Sequence, residues 1–221
     1  AGTDGQTCQD CHMPPTGATI FADPAMGGLE REPETIPGHR MPGAADTALL
    51  QAAVTLTLDA SIEDGDLVVS VTITNDQTGH HVPTDSPLRH LILLVNADGA
   101  DGPLGLLEGP NVPTWGGVGD PADGRYAGLP GTAYAKVLEE LWSEVSPTGA
   151  YWNQTRVLSD NRIPAMGSDT TVYRFADPGG DGATVQATLL YRRAYLDLAV
   201  SKGWDVDDIV METATVAIPG R

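Results

Sequence analysis

The residues best suited to chemistry lie close together near the start of the chain. The two cysteines of this 221-residue sequence are Cys8 and Cys11, and His12 follows directly. A C-x-x-C-H motif is typical of covalent c-type haem attachment. Two thioethers must reach two vinyl groups on one edge of the porphyrin, and the next residue must place an imidazole beneath the iron. The motif therefore predicts one covalent haem c, bound through Cys8 and Cys11, with His12 as the proximal iron ligand.

A cysteine pair has three other common uses. A redox disulfide is expected within a βαβ pattern, and none surrounds this pair. A zinc site needs further ligands at short spacing, and neither a second cysteine pair nor an H-x₃₋₅-H motif follows. A plain structural disulfide does not account for the histidine that follows. The sequence favours haem over all three.

The second axial ligand decides what the iron does. A filled site suits electron transfer, whereas an open site permits gas binding or catalysis. His39 lies in a loop, 37–43, whose proline and glycine residues leave the histidine no evident packing role. We therefore expect His39 to be the distal ligand, within a turn-rich segment whose apolar side chains cover the porphyrin: Ile20, Phe21, Met26, Leu29 and Ile36.

Other residues are alternatives for the distal position. His80 and His81 follow a predicted strand in a second constrained loop, 78–84, and His80 is preferred of the two. Met41 is the methionine alternative, and it would raise the reduction potential relative to a pair of histidines. His90 lies in an apolar run that predicts a strand, where a structural role is more typical.

The charge of the chain argues against several functions. The sequence has 30 acidic and 12 basic residues, a formal net charge of −18. Nucleic acid and anionic lipid repel such a polyanion, so we expect no nucleic-acid binding. The charge favours solubility, a high-salt habitat or a cationic partner, and a solvated acidic surface is the default interpretation. No apolar run reaches the length of a membrane span, and no signal peptide is visible. Because haem c is attached outside the cytoplasm, and the chain begins at Ala1 without methionine, we expect a processed protein in the periplasm or outside the cell.

The rest of the chain has the pattern of β structure. From Leu49 onward, short runs alternate with a period of two or are continuously apolar, and turn residues separate them. The pattern predicts a mainly β fold, with an antiparallel β-sandwich domain at 49–221 after an irregular haem-binding segment at 1–48. The expected strands are 53–58, 66–75, 91–95, 157–159, 170–175, 183–191 and 209–218, with a hairpin turn at 63–66.

One or two short helices are expected as well. Apolar residues of the segment 134–145 recur at helical spacing, which predicts a helix there. The segment 192–203 ends with Lys202 and Gly203, a combination typical of a helix C-terminus. The acidic segment 96–102 resembles part of a calcium loop but lacks the downstream glutamate, so a hairpin tip is the better interpretation.

Together these residues resemble the last haem segment of bacterial multihaem c-type cytochromes. The similarity rests on the sequences CQDCHMP at 8–14 and GHRMPGA at 38–44, and it extends over a following sandwich to Asn75, Gly79-His80, Pro83-Thr84, 159–164 and 191–193. The resemblance implies electron transfer, often at or beyond the cell surface. It also supports His39 and His80 as residues of interest, and in multihaem relatives such a histidine can serve a neighbouring haem. The chain differs from the family in having a single attachment motif and in having Met41 in place of the usual aromatic residue.

The sequence thus predicts a monohaem c-type cytochrome that acts in extracytoplasmic electron transfer, within a larger redox complex or haem chain. We expect an electron carrier and not an enzyme, with redox proteins as partners, among them other cytochromes or copies of itself. One alternative is a haem enzyme whose open distal site reduces peroxide or another small molecule. A second is a sandwich that binds sugar or mineral, with haem as an accessory and four tryptophans as stacking residues: Trp115, Trp142, Trp152 and Trp204.

Overall fold

The computed structural model describes residue 5, residues 7–205 and residues 207–220. The chain forms two compact units, which divide between Leu50 and Gln51. The first unit is mostly irregular. It contains the short helix α1 (Cys8–His12), the start of the helix α2 (Thr47–Gln51), and 3₁₀ turns at Pro24–Met26 and Pro33–Thr35.

The second unit is built mainly from antiparallel strands. Within the described residues they are β1 (Thr55–Glu63), β2 (Asp66–Thr74), β3 (His90–Gly99), β4 (Gly102–Pro103), β5 (Leu106–Glu108), β6 (Gly131–Tyr134), β7 (Lys136–Glu140), β8 (Thr155–Asp160), β9 (Ser168–Phe175), β10 (Gly182–Arg192) and β11 (Ile209–Pro219). The helix α3 (Leu196–Lys202) connects β10 to β11, and 3₁₀ turns lie at Thr114–Gly116 and Pro121–Asp123.

The strands form three sheets. One has the order β1, β2, β9, β5, and a second has the order β11, β10, β3, after which both β4 and β6 pair with β3. The remaining pair, β7 and β8, makes a two-stranded sheet of its own. The mainly β fold, its antiparallel sheets and its few short helices are confirmed.

Alternation along the strands places the core. In β2, Leu67, Val69, Val71 and Ile73 are fully or almost fully buried, while the residues between them are partly exposed. Burial of each such side chain contributes about 1.5–3 kcal/mol. The longer strand β10 alternates in the same way from Ala183 to Leu189, and its last three residues are buried as well. One buried face on each sheet is expected when sheets pack face to face, and the sandwich arrangement itself stays a prediction.

Two turn predictions agree with the structure. Glu63 pairs with Asp66 across a two-residue loop, in which Asp64 and Gly65 both have positive φ, 54° and 98°. Those dihedral angles match the twist of a tight hairpin. The acidic segment 96–102 is a hairpin tip as well, since β3 turns directly into β4 there.

The predicted helix at 134–145 is wrong. Tyr134 ends β6, and 136–140 is the strand β7, which pairs with β8. The apolar residues at helical spacing do not form one buried face, because Trp142 and its neighbours in the following turn are exposed. The predicted helix at 192–203 is confirmed in a shorter form as α3, which Gly203 caps in the left-handed conformation. Among the described residues, no helix has the length and apolar character needed to span a membrane.

Candidate functional site

The two thiols and the histidine of the motif share one short helix. Cys8, Cys11 and His12 all lie on α1. Residues three and four positions apart lie on the same face of a helix, so a single turn gathers all three side chains. Both thiols are free and exposed, and His12 is half-buried. This arrangement leaves the sulfur atoms accessible to a large group and anchors the imidazole beside them.

A capping interaction defines where this helix begins. The Asp10 carboxylate accepts a hydrogen bond from the Thr7 backbone N–H at 2.6 Å and another from the Thr7 hydroxyl at 2.9 Å. These two hydrogen bonds lower the pKa of Asp10 below its ordinary value, and the bond from the Thr7 backbone has the larger effect. A helix of five residues does not form on its own in water. The contact with Thr7 therefore helps to place Cys8 at the first position of the turn.

His12 is oriented by a residue far along the chain. Its Nδ1 atom lies 2.7 Å from the carbonyl oxygen of Pro42. A carbonyl oxygen can only accept, so Nδ1 carries the proton and the lone pair of the neutral ring is on Nε2. A backbone carbonyl that fixes the tautomer in this way is a common support for a histidine that binds a metal through its other nitrogen.

The loop that carries His39 is tied to the chain just after the motif. The Gly38 backbone N–H donates to the Pro14 carbonyl at 2.9 Å, and the Thr16 N–H donates to the Ile36 carbonyl at 3.3 Å. A Cβ atom at position 38 would lie only 2.9 Å from the Pro14 oxygen, so this close approach requires glycine. His39 follows that contact and is exposed, three residues before Pro42.

The first unit exposes four of the five apolar side chains that the sequence predicts to cover a porphyrin. Met26 is 86% exposed and Phe21 is 69% exposed, and three further large apolar side chains are exposed beside them in sequence: Ile20, Leu29 and Met41. Ile36, also predicted to cover a porphyrin, is buried instead. Two accessible thiols, an imidazole with its lone pair on Nε2, and this apolar surface fit a covalent haem.

His80 lies in the second unit, on a loop held by a buried amide. The side chain of Asn75 is fully buried, and its Nδ2 donates to the carbonyls of His80 at 2.8 Å and Ile163 at 3.0 Å. The His80 ring is exposed and donates from Nδ1 to the His81 carbonyl at 2.9 Å. Residues singled out separately in the sequence, at positions 75, 80 and 163, thus belong to one hydrogen-bonded network. That network fixes the backbone of the loop.

His90 is buried in β3 and has the surroundings of a structural histidine. Its Nδ1 donates to the Leu88 carbonyl at 3.0 Å, and its ring stacks on that of Tyr195 with centroids 4.7 Å apart. Trp115 packs edge-on at 5.2 Å. Desolvation lowers the pKa of His90 to about 3, with a smaller lowering contribution from the nearby Arg192, while the Leu88 hydrogen bond acts in the opposite direction. The ring is therefore neutral in the folded protein.

Comparison with known proteins shows a similar fold but does not identify a family. No family model matches the chain, and no curated protein matches it. Among solved structures, the fold is similar to that of a penta-haem cytochrome c552 from Thermochromatium tepidum, with a TM-score of 0.66 and 18% sequence identity. The match covers 98% of this chain and 48% of that protein, so the chain spans about half the length of its structural neighbour. The fold is thus similar to that of part of a multihaem cytochrome.

Proposed function

We propose that the protein is an electron carrier with one covalent haem c, attached through Cys8 and Cys11 and ligated by His12. The observation that carries the proposal is that one helical turn presents both thiols, while Pro42 holds His12 in the tautomer whose lone pair is on Nε2, the form that can bind iron. When bound, haem iron changes by one electron between its ferric and ferrous states. The similarity of the fold to a penta-haem cytochrome supports this function.

His39 is the proposed distal ligand. It lies in the same compact unit as His12, between the Gly38–Pro14 contact and the His12–Pro42 contact. These two hydrogen bonds hold the loop that carries His39 close to the C-x-x-C-H motif. His80 is the alternative, either for this haem or for a haem carried by a partner. It lies in the other unit, on the loop that Asn75 holds.

The setting we propose is the periplasm or the cell surface, within a larger redox complex or haem chain. A single haem must pass its electron to another centre, so the partners are redox proteins, either other cytochromes or further copies of this chain. The net charge of −18 favours a partner with a basic surface. The β domain, 49–221, would serve as the scaffold that docks such a partner.

The test is an absorption spectrum of the oxidised and the dithionite-reduced protein, with and without carbon monoxide. Electron transfer with both axial positions filled predicts a low-spin spectrum that carbon monoxide does not change. A high-spin spectrum that shifts with carbon monoxide would mean an open site and would favour a haem enzyme that reduces peroxide or another small molecule.

Matched histidine variants locate the distal ligand. We expect His39→Ala to become high-spin and to bind carbon monoxide, because the iron loses a ligand. His80→Ala serves as the control, since both residues are exposed histidines in constrained loops. If only His80→Ala changes the spectrum, His80 replaces His39. If neither does, and the oxidised protein has the charge-transfer band of a Met–iron bond, the ligand is a methionine, and loss of the band in Met41→Ala assigns it to Met41.

A further inference from the structure

A groove of about 510 Å³ lies beside α3 in the second unit. Apolar and aromatic side chains form much of its lining: Tyr126, Leu196, Ala199, Val200 and Trp204. The Trp204 backbone N–H donates to the Ala199 carbonyl at 2.9 Å, which holds this residue next to the helix. Val200 is 62% exposed and Trp204 is 49% exposed. An exposed apolar surface with polar residues at its rim is typical of a protein interface.

Among the described residues that line the groove, the one cation is Arg192, and its charge is already balanced. Arg192 is only 2% exposed, and it donates to both carboxylate oxygens of Asp208 at 2.7 Å. Its remaining hydrogen bonds go to the carbonyls of Gly116 at 2.9 Å and Gly124 at 2.6 Å. The guanidinium carbon lies 5.3 Å from the centroid of the Tyr126 ring. The chain thus binds one guanidinium here through a bidentate carboxylate and an aromatic ring.

The other charged residues that the structure describes in the groove are acidic. Asp123, Asp205 and Asp207 line it and are exposed. Within the described residues, no ion pair joins any of them to a cation. They also form no metal site, since no group of three or more His, Cys, Asp or Glu that could hold a metal ion occurs in the part of the chain that the structure describes. The groove therefore has a net negative charge, with carboxylates at its exposed rim.

A cationic surface is complementary to this groove. Positive groups would meet the aspartates, while the apolar stems of long basic side chains would cover Val200 and Trp204. Arginine suits the groove better than lysine, because its guanidinium donates two parallel hydrogen bonds to a carboxylate and stacks on an aromatic ring. Arg192 makes both kinds of contact in the same groove. A second copy of the chain is disfavoured, since its own charge of −18 would meet like charge.

We propose that this groove is the docking site for a redox partner, and that the partner binds through a segment with exposed arginine side chains. The inference rests on the proposed function, because an electron carrier must bind the protein with which it exchanges electrons. The net charge of −18 attracts a basic protein from a distance. The aspartates around Trp204 then determine where on the second unit its arginines bind.

A labelled hexa-arginine peptide is the probe for this site. The full chain with its haem is titrated into the peptide at about 0.1 M salt, where charges more than about 10 Å apart are largely screened, and fluorescence anisotropy is recorded. We expect Asp205→Asn with Asp207→Asn to weaken binding by about fivefold, because two exposed charge pairs are lost. The matched control is Asp59→Asn with Asp64→Asn, which removes two exposed carboxylates from β1 and the turn after it. It changes the net charge equally and should bind within about twofold of the unaltered chain.

A second variant tests the preference for arginine. We expect Trp204→Ala to reduce the preference for hexa-arginine over hexa-lysine by about threefold, since it removes the indole on which a guanidinium stacks. Trp152→Ala, which alters an exposed tryptophan outside the groove, should leave the preference unchanged. Circular dichroism of each variant checks that the fold persists.

Three results would overturn the docking site: no binding of hexa-arginine, equal weakening by the two pairs of aspartate substitutions, or a preference for arginine that Trp204→Ala does not change. The absorption spectrum of the same samples tests the haem and its axial ligands separately. A low-spin haem together with any of these three results would therefore contradict the docking site alone, and not the electron carrier.

Discussion

The two thiols of α1 are expected to attach a haem independently, because each forms its own thioether. We expect Cys8→Ala or Cys11→Ala alone to retain covalent haem through one bond and to shift the reduced absorption band to longer wavelength, since one vinyl group stays unreacted. The double variant loses covalent haem. Gln9→Ala, exposed on the same helix, is the control and leaves the band unchanged. Covalent haem in the double variant would contradict the assignment of both cysteines.

The sequence motif predicts the haem-binding residues, but it does not predict Pro42, the residue that orients His12. The motif itself identifies Cys8, Cys11 and His12, because their types and spacing are fixed by the porphyrin. The contact with Pro42 joins residues thirty positions apart and uses a main-chain oxygen, which every residue possesses. Only the turn-rich composition of the loop 37–43 pointed to this region.

His90 should make the stability of the second unit depend on pH. Its folded-state pKa of about 3 lies below its ordinary value of 6.5, so the unfolded state binds the proton more readily. The contribution of the neutral His90 to the free energy of unfolding is fully present above about pH 6.5. It falls as the pH drops towards 3, by about 1.4 kcal/mol per pH unit once the unfolded histidine is protonated. The measurement is the free energy of unfolding by denaturant between about pH 7 and pH 5.

A variant without the imidazole isolates this contribution. His90→Phe keeps a ring between Tyr195 and Trp115 but cannot take up a proton. We expect its stability to vary less with pH over the same interval, whatever its absolute stability. Carboxyl groups with a lowered pKa, such as Glu140 and Asp160, contribute to the free energy of unfolding as well. That contribution begins to fall only as the pH drops to their ordinary pKa values of 4.5 and 3.8. Equal slopes for the two proteins would show that His90 is not the titrating group.

At the level of elements, the loop that carries His80 depends on one buried amide. Asn75→Ala removes three side-chain hydrogen bonds: two donated to the carbonyls of His80 and Ile163, and one accepted from the Thr78 hydroxyl. Each contributes about 0.5–1.5 kcal/mol, so we expect the free energy of unfolding to fall by about 1.5–4.5 kcal/mol in chemical denaturation. Asn153→Ala, at an exposed site, is the control and should cost about 0.5 kcal/mol or less. A similar loss in both variants would mean that the network does not hold the loop.

The strands were predictable to the extent that their pattern was local. β2 and β10 have long alternating or β-branched runs, and both were found close to their observed bounds. β4 and β5 are too short to leave a pattern, so they were not foreseen. The segment 134–145 failed because helical and strand spacing overlap in a short apolar run. Pairing between β7 and β8 decides the outcome there, and that contact is not local in sequence.

At the scale of the whole molecule, the charge of −18 should control the rate of electron exchange. We expect the reduced protein to be oxidised by the cationic tris(phenanthroline)cobalt(III) at a rate that falls by about tenfold or more from low to high salt. The rate with the anionic ferricyanide should rise over the same range. Stopped-flow absorbance measures both. Rates that do not depend on salt, or that change in the opposite direction, would exclude electrostatic guidance by this surface.

The most direct test of the covalent haem is the intact mass of the denatured protein, produced in a host that attaches haem c and exports the product. We expect the mass of the chain plus one haem, retained after extraction with acid and acetone, because Cys8 and Cys11 hold the group through two thioethers. A mass equal to that of the chain alone, or a haem that extracts completely, would contradict the function proposed for Cys8, Cys11 and His12.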